Sequence, residues 1–233
     1  MPCYRCWVRK GKYVKDGDTP SRRWVLPTGT GGLTTTAAQA LFACVQRMAE
    51  ESTNAVLQVL GENGEICEAR RYPQPPLGFA DGHWRAYYHC HALATASAGA
   101  HGHCHIFTGG DQRGPDQWSH VAGLAMDLEG QPLRWFVTNR WVTAGSWGRR
   151  DVLRAGLECL QPAAGNSLVT QWLTAMLCLY AADIDELLRA RDDRLECAMQ
   201  NASMEQVLAD RSLYELAESR IDLVRTLQRL LSS

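Results

Sequence analysis

The sequence predicts an α+β domain: a mostly antiparallel sheet of about six strands that carries a histidine cluster, preceded by one helix and followed by a C-terminal run of helices. Three observations predict it. Between about residues 54 and 143, short apolar and aromatic runs are separated by turns rich in Gly, Pro and Asn, the pattern of hairpins. From Gly148 onward, apolar residues recur at helical spacing instead. All seven histidines fall between His83 and His120, five of them in runs of period two, His89-Cys90-His91 and His101-Gly102-His103-Cys104-His105. Period two is the spacing at which side chains of an extended strand share a face.

In order along the chain, Thr34 to about Glu51 is the first helix, with Leu41, Cys44, Val45 and Met48 on one side and Thr34–Thr36 offering the cap. Asn54 to Tyr72 reads as a hairpin, with Val56–Leu60 outbound, Gly61-Glu62-Asn63-Gly64 as the turn and Ile66–Tyr72 returning. Pro73, Pro75, Pro76 and Gly78 mark an irregular segment. Trp84–Leu93 and His101–Thr108 are the two histidine strands. Ser119–Leu128 and Pro132–Thr138 form a further hairpin, followed by a short strand or bend at Asn139–Thr143. Asp151–Leu160, then Ser167 to about Met199 with a break near Asp183, and finally Met204–Leu231 are the helical stretches.

Residues 1–33 differ from the rest and read as a flexible N-terminal tail, leaving 34–233 as a single domain. All three lysines (Lys10, Lys12 and Lys15) lie in that tail, and no hydrophobic period holds there. Cys3 and Cys6 have the spacing of half a zinc site with no second pair nearby. Thr28-Gly29-Thr30-Gly31-Gly32 lacks the Gly-Lys-Ser/Thr ending of a phosphate loop and reads as a linker.

A formal net charge of −1 argues against a nucleic-acid or membrane-surface partner, either of which calls for a basic excess. No apolar run approaches the roughly 20 residues that span a bilayer, and the first residues lack the apolar core of a secretory signal. Nine irregularly spaced cysteines point to reduced thiols, so a cytoplasmic setting is expected, with an unidentified small molecule as substrate.

The histidines carry the chemistry. If Cys90 pairs with Cys104 on neighbouring strands, His89 faces His105, His91 faces His103, and His101 shares their side. Cys90 and Cys104 then point to the opposite face. Neutral imidazoles crowded at one point suit a divalent transition metal such as iron, zinc or copper, since unligated rings would repel as they protonate. The expected ligand set is His89, His91, His103 and His105, with His101 or His120 as alternates. Asp81, Asp111, Asp116 and Asp127 are the nearby carboxylates. Trp135, Trp141 and Trp147 read as packing residues, whereas Asn139 and Arg140 are the candidate substrate contacts. The expected reaction is metal-assisted, oxidative at iron or copper or hydrolytic at zinc. A carrier or sensor with every metal position filled is the non-catalytic alternative.

Two resemblances add to this reading. His101-Gly-His103-Cys-His105-Ile-Phe107 resembles the histidine triad motif of nucleotide hydrolases and transferases, which implies His103 as a catalytic nucleophile. More broadly, Tyr87-Tyr88-His89-Cys90-His91, the second histidine run, Thr138-Asn139-Arg140-Trp141-Val142-Thr143 and Arg189-Ala-Arg191-Asp192 together look like an uncharacterised bacterial domain family. That resemblance spans about Thr34 to Leu231 and implies one coherent fold with no assigned reaction.

Overall fold

Six strands, each antiparallel to the next, run in chain order across one sheet: β1 (Tyr72–Phe79), β2 (Trp84–Cys90), β3 (Gly102–Thr108), β4 (Ser119–Met126), β5 (Pro132–Thr138) and β6 (Glu215–Arg220). The structure is a computed structural model that describes residues 32–61, 66–68, 70–90, 99–109 and 118–232. The predicted tail therefore lies outside the described residues save for its last two positions, and so do His91, Asp111 and Asp116. Around the sheet stand α1 (Leu33–Glu50), α2 (Ala55–Leu60), α3 (Arg140–Thr143), α4 (Arg150–Glu158), α5 (Leu168–Leu179), α6 (Ala181–Met199), α7 (Met204–Ala209) and α8 (Leu223–Leu231). The α+β class and the six antiparallel strands agree with the sequence, but two of the six are different segments from those expected.

Residues 55–60 form a helix, not the outbound arm of a hairpin. A six-residue apolar run fits either state by pattern alone. Here the Asn54 side chain accepts a hydrogen bond from Leu57 N at 2.9 Å and sets a helix start. The proline-rich stretch expected to be irregular is instead β1, at the sheet edge. An edge strand leaves one side of its ladder unpaired, so the missing N–H groups of Pro73, Pro75 and Pro76 are tolerated. A register shift between Tyr72 and Leu77 takes up these residues. Residues 215–220, expected within the closing helix, pair with β5 as β6. Arg134 on β5 donates to Glu215 at 2.6 Å and lies 3.0 Å from Glu218, so both acids meet a cation across the strand pair.

The remaining helices stand near their expected places. The break in the long helical stretch falls at Tyr180, between α5 and α6, and the bend at 140–143 is a single helical turn. Gly32 rather than a threonine occupies the N-cap of α1. A capping box, with the Ser167 hydroxyl accepting from Thr170 N and Thr170 Oγ1 accepting from Ser167 N, starts α5.

One face of the sheet belongs to the main core. Trp84, Ala86, Tyr88, Cys104, Ile106, Leu124, Met126, Trp135 and Val137 pack with Leu41 and Met48 of α1, with Leu173 and Met176 of α5 and with Ile184 and Leu188 of α6. Tyr87, Phe107 and Phe136 are also buried but belong to the opposite face, outside that cluster. No helix among the described residues is long and apolar enough to cross a membrane.

Gly102 is required where β3 begins. A Cβ there would lie 2.5 Å from the carbonyl oxygen of His89 and 2.5 Å from the Tyr88 hydroxyl. Relief means parting β2 from β3, because one of the obstructing atoms is backbone. Gly102→Ala is expected to lower unfolding free energy by roughly 1–3 kcal/mol, as overpacked cores do. Urea denaturation checks this, and unchanged stability would show that the two strands pair differently.

Candidate metal centre

The pairing of β2 with β3 builds the site. His89 stands opposite His103, and Tyr87 opposite His105. The register expected from the sequence (Cys90 opposite Cys104) is corrected by two residues: Cys90 faces Gly102 and Tyr88 faces Cys104. Two is an even number, so every side chain keeps the face expected for it. His89, His103 and His105 meet on the face away from the main core. Nε2 of His89 is 2.6 Å from Nε2 of His103, which is 3.0 Å from Nε2 of His105. The ligand nitrogens of all three rings lie within 4.8 Å of one another.

Aromatic rings wall the cluster. The His103 ring meets Phe136 edge-on at 5.1 Å between centroids, His105 lies 5.5 Å from Tyr87, and Tyr87 stacks on Phe107 at 5.6 Å. Phe136 can lie there because its partner across β4 is Gly123, where a Cβ would come 2.1 Å from the ring. His103 and His105 are buried and His89 is half-buried, so the cluster is approached from the His89 side.

His120 joins from β4 through a bulge. Ile106 pairs with Ala122, but the next residue, Phe107, pairs with His120, leaving Val121 as the extra residue. Without that insertion His120 would face the core. With it, His120 Nε2 lies 3.0 Å from Nδ1 of His105, and its own Nδ1 lies 3.5 Å from the Thr138 hydroxyl. When all three Nε2 atoms of the cluster offer lone pairs inward, the protons sit on Nδ1. His105 then donates to His120, and His120 donates to Thr138. Such an outer partner fixes the tautomer and ring angle of a ligating histidine.

The electrostatics favour neutral rings. Burial holds the His105 pKa well below the usual histidine value, helped by His103, His120, His89 and Arg71. Burial, with Arg191 nearby, lowers His120 to about 3. Burial also pushes the Cys104 thiol up to about 12, so it stays protonated on the core face and is no ligand.

The other expected site residues are placed as follows. His101 leaves the shared face, a correction to the sequence reading: it precedes β3, stacks over Tyr88, and its Nδ1 lies 2.7 Å from the Tyr88 hydroxyl. Strand alternation does not bind a residue outside the strand. Among the described acids, Asp127 accepts from Gln131 N, and neither it nor Asp81 belongs to the cluster. Asn139 is fully buried. Its side-chain oxygen accepts from Arg140 N, and its amide donates to Val207 O at 2.9 Å, which joins β5 to α7. Arg140 is half-buried at the start of α3. Trp135 is buried in the core, Trp141 donates to Leu213 O and Trp147 lies under Arg191, all packing roles. His103, the nucleophile that the histidine triad resemblance implies, has its Nε2 facing two other imidazoles. Thr138 was missed as the end of the histidine chain, since only the β4 bulge reveals it.

Fold and site together define an antiparallel α+β domain with three imidazoles converging on the face away from its core. The chain belongs to the family described as Domain of unknown function (DUF6969), which matches residues 35–221. No curated protein and no solved structure matches the chain.

Acid should loosen the metal-free fold through these buried rings. Above pH ~6.5 His120 is neutral whether the chain is folded or not, and the burial has no proton cost. Below that, the unfolded chain takes a proton that the folded one refuses until pH about 3. Stability is thus present above the unfolded value and falls as pH falls, by at most about 1.4 kcal/mol per pH unit for this ring. Urea unfolding in chelator between pH 7 and 4 should show the slope, and His120→Gln should reduce it.

Proposed function

We propose that this protein binds one divalent transition metal (iron, zinc or copper) through His89, His103 and His105 and uses it in catalysis on a small molecule. The observation that carries this reading is the convergence of three Nε2 atoms, at 2.6 and 3.0 Å between neighbours, on one buried point. Three nitrogens about 2.0–2.1 Å from a tetrahedral ion are roughly 3.3 Å apart, close to the spacing here. His105 is held in the neutral form that ligation needs. His105 has its outward nitrogen on His120, the arrangement that orients ligating imidazoles.

Zinc there would supply Lewis acidity, and iron or copper redox chemistry. The chain's own residues have distinct tasks. His103 and His105 anchor the point, Phe136, Phe107 and Tyr87 keep water from its flanks, and half-buried His89 marks the side a substrate enters. Three protein ligands with an open position are the pattern of catalytic sites and four closed ligands that of structural ones, and among the described residues the cluster has three. This favours an enzyme over a carrier or sensor.

Protein purified without a histidine tag and reconstituted with Zn(II), Fe(II) or Cu(II) should hold about one ion per chain by elemental analysis. His89→Ala and His105→Ala should abolish this, His120→Ala should weaken it about 10–100-fold, and His101→Ala should leave it unchanged. Folded protein that takes up none of the three metals would overturn the assignment. Nucleotide hydrolysis by metal-free protein, lost in His103→Ala, would replace it with the histidine triad reading.

A further inference from the structure

Two arginines on the histidine face have no acidic partner among the described residues. Arg71, just before β1, lies 4.5 Å over the ring of Tyr87, which itself contacts His89 and His105. Arg85, two positions before Tyr87 on β2, lies 5.2 Å over Phe107 and 4.5 Å over Trp118. Its Nε is buried with no hydrogen-bond partner. A third arginine on the same face behaves differently. Arg134 lies over Phe136 and is met by Glu215 and Glu218.

We propose that Arg71 and Arg85 are the recognition pair for a small carboxylate substrate, held with its anionic end beside the His89, His103 and His105 point. The proposal rests on the metal reading above. A divalent ion on three neutral imidazoles keeps its full charge of +2, and Arg71 and Arg85 add two more. No carboxylate belongs to the described cluster to offset them. An arrangement of that charge attracts an anion from outside. Guanidinium groups pair with planar carboxylates through two parallel hydrogen bonds. A guanidinium lying against a ring keeps its N–H edge for such a partner, since the ring takes up its face. The strain of Arg85, charged and desolvated at its Nε, is relieved by the same anion. Tyr87 and Phe107, buried beneath the two arginines and stacked on each other, hold the guanidinium groups on the histidine face.

The probes are benzoate and its neutral amide, benzamide, which match in shape and differ in charge. Benzoate titrated by calorimetry into Co(II)-loaded protein should release heat and shift the cobalt visible bands, and benzamide should do neither. Arg71→Gln and Arg85→Gln should each weaken benzoate roughly tenfold or more with cobalt content unchanged. Arg85→Lys, which retains the charge, should recover part of the loss. Arg71 is exposed, so Arg71→Gln tests the proposal even if the Arg85 variants fold poorly. Equal binding of benzamide, or benzoate binding that ignores both substitutions, overturns the recognition pair. Arginine-dependent binding of inorganic phosphate in preference to benzoate overturns the choice of carboxylate. Failure to load cobalt overturns the metal reading instead, and arginine-dependent benzoate binding in that metal-free protein would leave the recognition pair standing.

Discussion

Everything at this site depends on the parity of one strand pairing. Side chains in a sheet alternate between faces, so β2 and β3 can slide past each other by two residues without changing which side chains share a face, and by one residue only by exchanging the faces completely. His89, His103 and His105 meet because the observed register, His89 opposite His103, is of the right parity. Gly102 and Gly123 serve the same pairing from two sides. The first lets the backbone of β2 lie against β3 beside Tyr88, and the second lets Phe136 close over the cluster.

That pairing also divides the sheet by polarity. The core face holds Trp84, Tyr88, Ile106, Leu124 and Trp135. The opposite face is also largely buried, but it carries imidazoles with aromatic neighbours. Nitrogen ligands cannot share a burial site with their own protons without large cost, and the low pKa values of His105 and His120 express that cost. Rings held neutral and close together at a buried point are poor at carrying protons and well suited to carrying a cation. The nearby arginines Arg71 and Arg85 add positive charge to the same face.

The sequence disclosed what is local and concealed what is not. His89 and the pair His103 and His105 were legible because a period of two is written in consecutive residues. The meander of β2 to β5 was legible for the same reason. The segment Glu215-Leu-Ala-Glu-Ser-Arg220 was not, since its residues favour a helix and its strand state comes from pairing with β5, some eighty residues earlier. The hairpin expected at 54–72 failed on a single cap at Asn54, and β1 was hidden by prolines that only an edge strand accepts. His101 shows the limit of periodicity in one residue: it stands one step outside β3, where the Tyr88 hydroxyl competes for its ring. His120 shows the converse. Plain alternation sends it to the core, and the bulge at Val121, invisible in the residue types, returns it to the histidines.

The position of His120 also bears on whether the centre is closed or open. His105 has two ring nitrogens pointing in different directions, and the structure occupies both: Nε2 toward His103 and Nδ1 toward His120. A ring cannot present one nitrogen to an ion at the cluster and at the same time bring a neighbour bound to its other nitrogen onto that ion. Enlisting His120 as a ligand would require His105 to turn over and abandon Nε2 of His103. Phe136 at 5.9 Å and Tyr87 at 5.5 Å pack the ring against such a turn. Among the described residues the inner set therefore stops at three, and Thr138 ends the hydrogen-bonded line behind it rather than adding a fourth ligand. Of the three rings only that of His89 is half-buried, and Tyr87 beside it lies under Arg71. The same bulge that brings His120 to this face thus supports His105 from behind and leaves its Nε2 turned toward His103.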